Sequence, residues 1–374
     1  MTDVFDVVIV GAGPAGAAAA VAAKRSRPKA AVLLLDKSNF PRDKVCGDAV
    51  APDAVEELRR LGLTGSLRGE KEVRRYRLCD ARDREISGTS HKTGYIVPRE
   101  RFDARLVAAA AGLGVELRRE RATTIDQAEQ GVWINRRWCG RTVIAADGAN
   151  SVIRRLLGAA PHPSGAVAFA LRGYAPGDGR SDFFVRWDDG GGVAYAWAFP
   201  TACGRLNAGY GLPLAQLTRG RRQLIERLQY LLPNVAVEPT TLRGHHLPLF
   251  SARPELAAGR ILLAGDAAGL VNPLSGEGIL GALASGRLAG EAAVAESRPD
   301  ISYPRAVRRR FSRHWRQARL LSRFAGAPHF ARAMVAAREE GDTLFDRLMD
   351  LWVGEGTLGM RDVAGVFRVM AARR

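Results

Sequence analysis

The chain has 374 residues, 47% hydrophobic and 25% charged, which is the balance of a folded globular protein. This excludes a disordered chain, a collagen-like chain and a small disulfide-stapled scaffold, and the length predicts two or three structural units. Lys and Arg total 56 against 39 Asp and Glu, giving a formal net charge of +17; fifty of the bases are Arg, the codon habit of a GC-rich bacterial genome. Cys46, Cys79, Cys139 and Cys203 match no zinc spacing, so a reducing cytoplasm and no structural metal are expected. The first residues carry acids and no basic stretch, which predicts no signal peptide. No uncharged apolar run is long enough to predict a membrane span.

In chain order, Asp6–Val10 is a β-branched run that ends at Gly11-Ala-Gly-Pro-Ala-Gly16, and an Ala-rich helix is predicted to follow to about Ala23. Ala31–Leu35 is a second buried strand, closed by Asp36. Pro52–Leu61 reads as a helix, Val73–Leu78 and Glu85–Ser87 as strands, and Arg99–Ala111 as a helix with Phe102, Leu106 and Ala110 on one face. Short strands recur from 115 to 145. Alternating apolar runs between 164 and 211 predict an antiparallel sheet, followed by a helix over Leu214–Leu232. Arg260–Ala264 returns as a buried strand before a glycine-rich loop and a helix to about Glu296; the last 75 residues read as mostly helical.

Gly11, Gly13 and Gly16 stand in the G-x-G-x-x-G spacing between a strand and a helix. Gly11 permits a tight turn, Gly13 lets backbone approach a pyrophosphate, and Gly16 lets helix and strand pack closely. Pro14 suits the first helical turn, and the helix N-terminus offers free N–H groups to phosphates. Asp36, twenty residues beyond Gly16, is placed to accept from a ribose hydroxyl. Two further strand-to-helix turns follow. One is Asp147-Gly148 with Ser151 as a helix cap; the other is Gly265-Asp266, whose acid suits a polyol hydroxyl, followed by Asn272-Pro-Leu-Ser-Gly276-Glu277-Gly278-Ile279. A helix N-terminus at Gly278 would favour negative charge on a reduced ring system.

These three elements, in this order, resemble the FAD-binding fold of the para-hydroxybenzoate hydroxylase type over about 1–300. Four further motifs resemble the geranylgeranyl reductase family. They are Pro41-Arg-Asp-Lys-Val-Cys46-Gly47-Asp48, Gly94-Tyr-Ile-Val-Pro-Arg99, Tyr195-Ala-Trp197-Ala-Phe199-Pro200, and Pro273-Leu-Ser-Gly276-Glu277-Gly278-Ile279. The resemblance implies α/β architecture, α+β overall: a Rossmann-like FAD-binding domain, a discontinuous antiparallel-sheet substrate domain and a helical C-terminal region. The expected bounds are 1–70, 97–158 and 258–300 for the first, 71–96 and 159–257 for the second, and 301–374 for the third. Carried over residue by residue, it implies FAD contacts at Ala15, Asp36, Cys46, Gly47, Arg99, Asp266, Gly278 and Ile279, beside the fingerprint Gly11, Gly13 and Gly16. Asp48 stands where the family usually has Gly, which would change the polarity of that loop wall.

The reaction the resemblance implies is hydride transfer from reduced FAD to a C=C bond of an apolar substrate. Cys46, Tyr195 and Trp197 are the catalytic candidates; Tyr195, Trp197, Phe199 and Pro273 are the substrate-binding candidates. With one fingerprint and no second Rossmann site evident, reducing equivalents would come from NAD(P)H or another external donor, such as a flavin reductase or ferredoxin. Two alternatives stand beside this: a flavin-dependent monooxygenase or halogenase of natural-product biosynthesis, and a non-redox cyclase with structural FAD. Tyr195-Ala-Trp197-Ala-Phe199-Pro200 departs from the halogenase W-x-W-x-I-P, which argues against halogenation.

Several features read two ways. Cys46 is a small hydrophobe beside the flavin or a proton relay. Tyr195, Trp197 and Phe199 alternate on one strand face as sheet core or as a cavity wall. His245 and His246, adjacent on a strand, point to opposite faces and cannot chelate together. Glu277 reads as a helix-start residue rather than an acid catalyst. The stretch 305–323 holds eight Arg and no acid, with Val307, Phe311 and Trp315 at helical spacing: a solvated helix with one packed face, or a basic amphipathic helix touching an anionic membrane or a prenyl diphosphate. No nucleic-acid motif accompanies the charge.

Overall fold

The computed structural model describes residues 4–189, 194–251, 254–324 and 327–371. Two mixed eight-stranded sheets organise it. In the first, the buried β-branched run forms the strand Val4–Val10, flanked in parallel by Val32–Asp36 and Trp138–Ala145; Ile9 pairs with Leu34 on one side and Ile144 on the other. Ile261–Leu263 and Glu116–Arg119 extend this parallel core outward. Strands buried on both faces read as continuous apolar runs, which is why the sequence marked them.

Helices Pro14–Ser26 and Ile279–Ala295 cross at the sheet's carboxyl ends with almost no space between them. A Cβ added at Gly286 would lie 2.1 Å from the Ala15 carbonyl, and one at Gly290 2.1 Å from that of Ala19. Small residues on both helices therefore bring the two N-termini to one place. That place is the crevice where an α/β sheet binds its ligand.

The second sheet runs, in order, Arg243–Pro248, Val167–Pro176, Arg205–Pro213, Tyr195–Pro200, Phe183–Trp187, Lys71–Cys79, Glu85–Ile96 and Ala49–Val50. All of its pairings are antiparallel except Phe183–Trp187 against Lys71–Cys79, which is parallel and corrects the expectation of a purely antiparallel sheet. The Glu85 strand runs on to Ile96, far beyond Ser87, because backbone pairing with Lys71–Cys79 holds Glu85–Thr89 and, past an irregularity between Val73 and Arg75, Gly94–Ile96. The predicted Leu214–Leu232 helix is divided: a short 3-10 turn, Leu214–Gln216, precedes the helix Gly220–Leu231, and Gly220 adopts φ +58° at the break.

Helix Gly220–Leu231 covers one face of this sheet through Leu224, Leu228 and Leu231. The other face is covered by helices Ala327–Glu340 and Asp342–Val353, which set Phe330, Met334, Phe345, Leu348 and Trp352 against Tyr76, Val185, Trp187 and Trp197. The long helix Pro299–Phe324 packs its apolar stripe, Tyr303, Val307, Phe311 and Trp315, into the core of the first sheet. Phe311 and Trp315 stack at 4.4 Å, and the Tyr303 hydroxyl donates to the Leu263 carbonyl at 2.6 Å. None of the described helices is long and apolar enough to cross a membrane.

Candidate functional site

One cavity of about 660 Å³ lies between the sheets, within the range of small-molecule and cofactor sites. Its floor is the glycine turn. Gly11 has φ +100°, and a Cβ there would lie 2.3 Å from the Ala146 carbonyl oxygen; at Gly16 a Cβ would meet the Gly11 carbonyl at 1.8 Å. Both glycines are therefore required by backbone packing, and Gly16 lies beneath the cavity rather than on its wall. Gly13 differs. A Cβ there would strike no backbone and would meet only two guanidinium groups at ordinary contact distance, Arg42 Nη2 at 3.7 Å and Arg99 Nη2 at 3.9 Å. Helix Pro14–Ser26 begins at this point with no side-chain cap and no acid in its first turn. Free N–H groups, two guanidinium groups and a gap shaped by a missing side chain make a cradle for a diphosphate.

Asp36 accepts hydrogen bonds from the backbone N–H of Ala12 through Oδ2 and of Ser38 through Oδ1, both at 2.8 Å. A carboxylate has about four acceptor sites, so each oxygen keeps one for a hydroxyl. Arg99 is buried, not a surface residue of a helix start. Its fork holds Asp103 at 2.7 and 2.8 Å, and Arg42 reaches the same carboxylate at 3.1 Å. Burial opposes the Arg99 charge, but the Asp103 carboxylate keeps the guanidinium protonated. Asp266 lines the cavity and accepts from Lys44 Nζ at 3.2 Å. Burial acts to raise the Asp266 pKa, yet Lys44 and His245 hold the carboxyl below its usual value, so it is an anion.

Past this polar end the cavity becomes apolar. Cys46, Gly47, Gly278, Ile279 and Pro273 line it, followed by Tyr195, Trp197 and Phe199. The three aromatic side chains share one face of their strand, and Phe183 stacks on Phe199 at 4.0 Å. The polar atoms of two candidate catalytic residues are engaged by the protein itself: the Tyr195 hydroxyl donates to the Ser275 carbonyl, and Trp197 Nε1 donates to Asn207 Oδ1 at 2.9 Å. Burial raises the Tyr195 pKa, so the phenol keeps its proton. Burial likewise raises the Cys46 pKa, leaving a thiol rather than a thiolate. Glu277 also lines the cavity. Burial pushes its carboxyl up to about 7, against the hydrogen bond its Oε1 accepts from Leu280 N–H at 2.8 Å at the helix start.

The Asp48 carboxylate does not line the cavity, so it leaves the polarity of that wall unaltered. Its φ of +62° explains why glycine suits the position. Its side chain turns away from the cavity, is fully buried against the second sheet, and accepts from Tyr174 and Asn207, each at 2.7 Å. Arg172 and Asn207 also donate to the Cys46 carbonyl, at 3.2 and 2.9 Å, which fixes the cysteine loop from behind. The two histidines do face opposite ways. His246 meets Phe169 edge-on at 4.9 Å; His245 lines the cavity, where burial and the nearby Lys44 push it down to about 4.

Sequence reasoning passed over Arg42 and Lys44, although both stand in the quoted Pro41–Asp48 motif. It had no signal for Met349, Trp352 and Val353, which close the apolar end from the C-terminal region. Asn272 Nδ2 contacts the carbonyls of Leu351 and Trp352 at 3.3 and 3.2 Å and thereby ties this cap to the Pro273–Ile279 loop.

Residues 4–174 match the FAD binding domain family model. The menaquinone reductase of Mycolicibacterium smegmatis is 33% identical over 87% of this chain and 85% of its own. The digeranylgeranylglycerophospholipid reductase 1 of Methanopyrus kandleri is 33% identical over 78% of this chain and 80% of its own. The chain belongs to the geranylgeranyl reductase family of FAD-dependent oxidoreductases. The fold agrees: a geranylgeranyl bacteriochlorophyll reductase-like protein from Thermoplasma acidophilum superposes with a TM-score of 0.77 at 20% identity, over 99% of this chain and 96% of that one. In this FAD-dependent oxidoreductase, the uncapped helix start, the Gly13 gap and the unfilled acceptor sites of Asp36 fit an adenine dinucleotide.

Proposed function

We propose that this enzyme reduces a C=C bond in an isoprenoid chain. The observation that carries this reading is the continuity of one cavity from the diphosphate cradle at Gly13 to an aromatic wall of Tyr195, Trp197, Phe199 and Trp352. The substrates in the names of both relatives carry long apolar chains, which such a wall suits. Reduced FAD, when bound, supplies the hydride.

Arg42, Arg99 and the Pro14 helix start hold the diphosphate, Asp36 the ribose, and Asp266 with Lys44 the polyol. Cys46-Gly47 and Pro273–Ile279 bracket the ring position. The segments 1–70, 97–158 and 258–300 serve as the flavin-holding unit, 71–96 and 159–257 as the substrate unit, and 301–374 closes the apolar end. Tyr195, Trp197 and Phe199 orient the chain and exclude water, because their polar atoms are already satisfied. The proton comes from the wall or from a water on it; Cys46 and Glu277 both hold protons near neutral pH. The reducing equivalents come from outside the fold, from NAD(P)H, a ferredoxin or a flavin reductase.

The test is an anaerobic single turnover. Holoenzyme reduced with dithionite is mixed with polyprenyl lipids, and flavin reoxidation is followed together with product mass. Reoxidation without oxygen, with product gaining the mass of H2, is expected. Reoxidation that requires oxygen and leaves an oxygen atom in the product would establish a monooxygenase instead.

A further inference from the structure

Arginine is distributed unevenly between paired and unpaired sites around the long helix Pro299–Phe324. The acids that border it are already matched: Glu255 with Arg154, Asp300 with Arg298, Glu57 and Glu355 with Arg310, and Asp362 with Arg347. Arg305, Arg308, Arg309, Arg313 and Arg316 are exposed, and none of them forms an ion pair among the described residues. Their spacing follows the helix period, so they make one stripe opposite the packed Val307, Phe311 and Trp315. At its C-terminal end the stripe meets Leu320, which is 57% exposed. Beside it, Gln317 and Leu358 exchange hydrogen bonds at 2.8 and 2.9 Å, which brings the 89%-exposed Met360 to the same edge.

The apolar stripe of this helix is already in the protein core, so the helix cannot bury that face in lipid. What it offers outward is fixed positive charge with two apolar side chains at the rim. Ser322, in its last turn, lines the catalytic cavity. The last turn of this helix therefore reaches the cavity through Ser322, on the packed side that Trp315 shares, and the surface through Leu320 on the charged side.

We infer that the Arg305–Arg316 stripe docks the enzyme on an anionic bilayer, with Leu320 and Met360 set at the headgroup level, so that a long apolar chain passes from the membrane toward the cavity beside Ser322. The chain-transfer part rests on the proposed substrate; the docking part does not. Charge selects the occupant. An anionic lipid surface strengthens binding with every basic residue near it, and this attraction fades with salt over a Debye length. The stripe has no stacking aromatic side chain turned outward, since Phe311 and Trp315 are buried, and this disfavours a nucleic-acid strand.

The experiment uses holoenzyme and sedimenting vesicles of phosphatidylcholine, with or without phosphatidylglycerol. Binding to the anionic vesicles, weakened by salt, and little binding to the neutral ones is expected. The combined variant Arg308→Glu, Arg309→Glu, Arg316→Glu should bind anionic vesicles roughly a hundredfold more weakly, while keeping its flavin and its turnover of detergent-dispersed substrate. A second variant, Leu320→Ser with Met360→Ser, should weaken binding without changing its salt slope. Equal binding to both vesicle types, undiminished binding by the charge variant, or preferential capture of RNA over vesicles would overturn the proposal. Failure of substrate reduction with vesicle binding intact would count against the proposed reaction alone.

Discussion

The Tyr174 hydroxyl donates to Asp48 across 2.7 Å, behind the loop that carries Cys46, and this carboxyl is pushed up to about 6 from an ordinary value near 3.8. Burial raises it; Tyr174, Arg172, Asn207 and Arg99 pull the other way and lose. Because the folded pKa is the higher one, the folded protein binds the Asp48 proton more tightly than the unfolded chain. Its contribution to stability is full below about pH 4 and is lost as pH rises through 6, a change of about 3 kcal/mol from the two-unit shift. Asp48→Asn removes that titration. Urea unfolding from pH 4 to 7 should show the wild-type midpoint falling relative to the variant's; parallel curves would mean that Asp48 ionises normally.

The glycine turn separates fold from cofactor. Gly13→Val places its side chain in the gap beside Arg42 and Arg99 without striking backbone. The variant should fold with a near-wild-type melting temperature but purify with little flavin, read as the ratio of visible to protein absorbance. Gly16→Val drives a Cβ into the Gly11 carbonyl and should instead lower the yield of folded protein. Equal flavin loss and equal destabilisation in both variants would contradict the distinction.

Arg99 and Asp103 form a buried fork with Arg42 alongside. Arg99→Met leaves the Asp103 carboxylate uncompensated apart from Arg42, and about 3 kcal/mol of stability should be lost. Arg99→Met with Asp103→Leu should recover most of that stability but not the flavin affinity. Denaturant titration measures the first effect and flavin titration the second. Recovery of both would show that Arg99 serves the fold alone.

Local chemistry made the first sheet and its turns legible. Val7–Val10 and Leu33–Leu35 are apolar because both faces are covered, and Gly11 and Gly16 are glycines because backbone lies where a side chain would go. Tyr195, Trp197 and Phe199 were legible as one face by alternation alone. What stayed hidden depends on contacts between distant segments. The parallel pairing of Phe183–Trp187 with Lys71–Cys79 spans about a hundred residues of chain and leaves no periodic trace. The direction of Asp48 is set by Tyr174 and Asn207, which only the folded second sheet brings near. Arg310 sits in an Arg-rich run that gives no hint of its partners Glu57 and Glu355.

Trp352 is the clearest case of a residue with no motif that nevertheless shapes the site. It is buried against Trp187 at 5.3 Å, Tyr195 at 6.1 Å and Phe183 at 6.3 Å, and it closes the apolar end of the cavity. Trp352→Ala removes packing from this cluster and should cost about 3–5 kcal/mol. Trp352→Phe keeps a ring and should cost less. In both, flavin content should stay at the wild-type level, since the cradle at Gly13 lies at the other end of the cavity. The kinetic expectation is a raised KM for long-chain substrates with a smaller change in kcat, because the wall binds chain atoms alike in ground and transition state. Unfolding curves, flavin content and the KM-against-kcat split across substrates of increasing chain length make the check. A loss confined to kcat, with KM unchanged at every chain length, would remove Trp352 from the substrate wall.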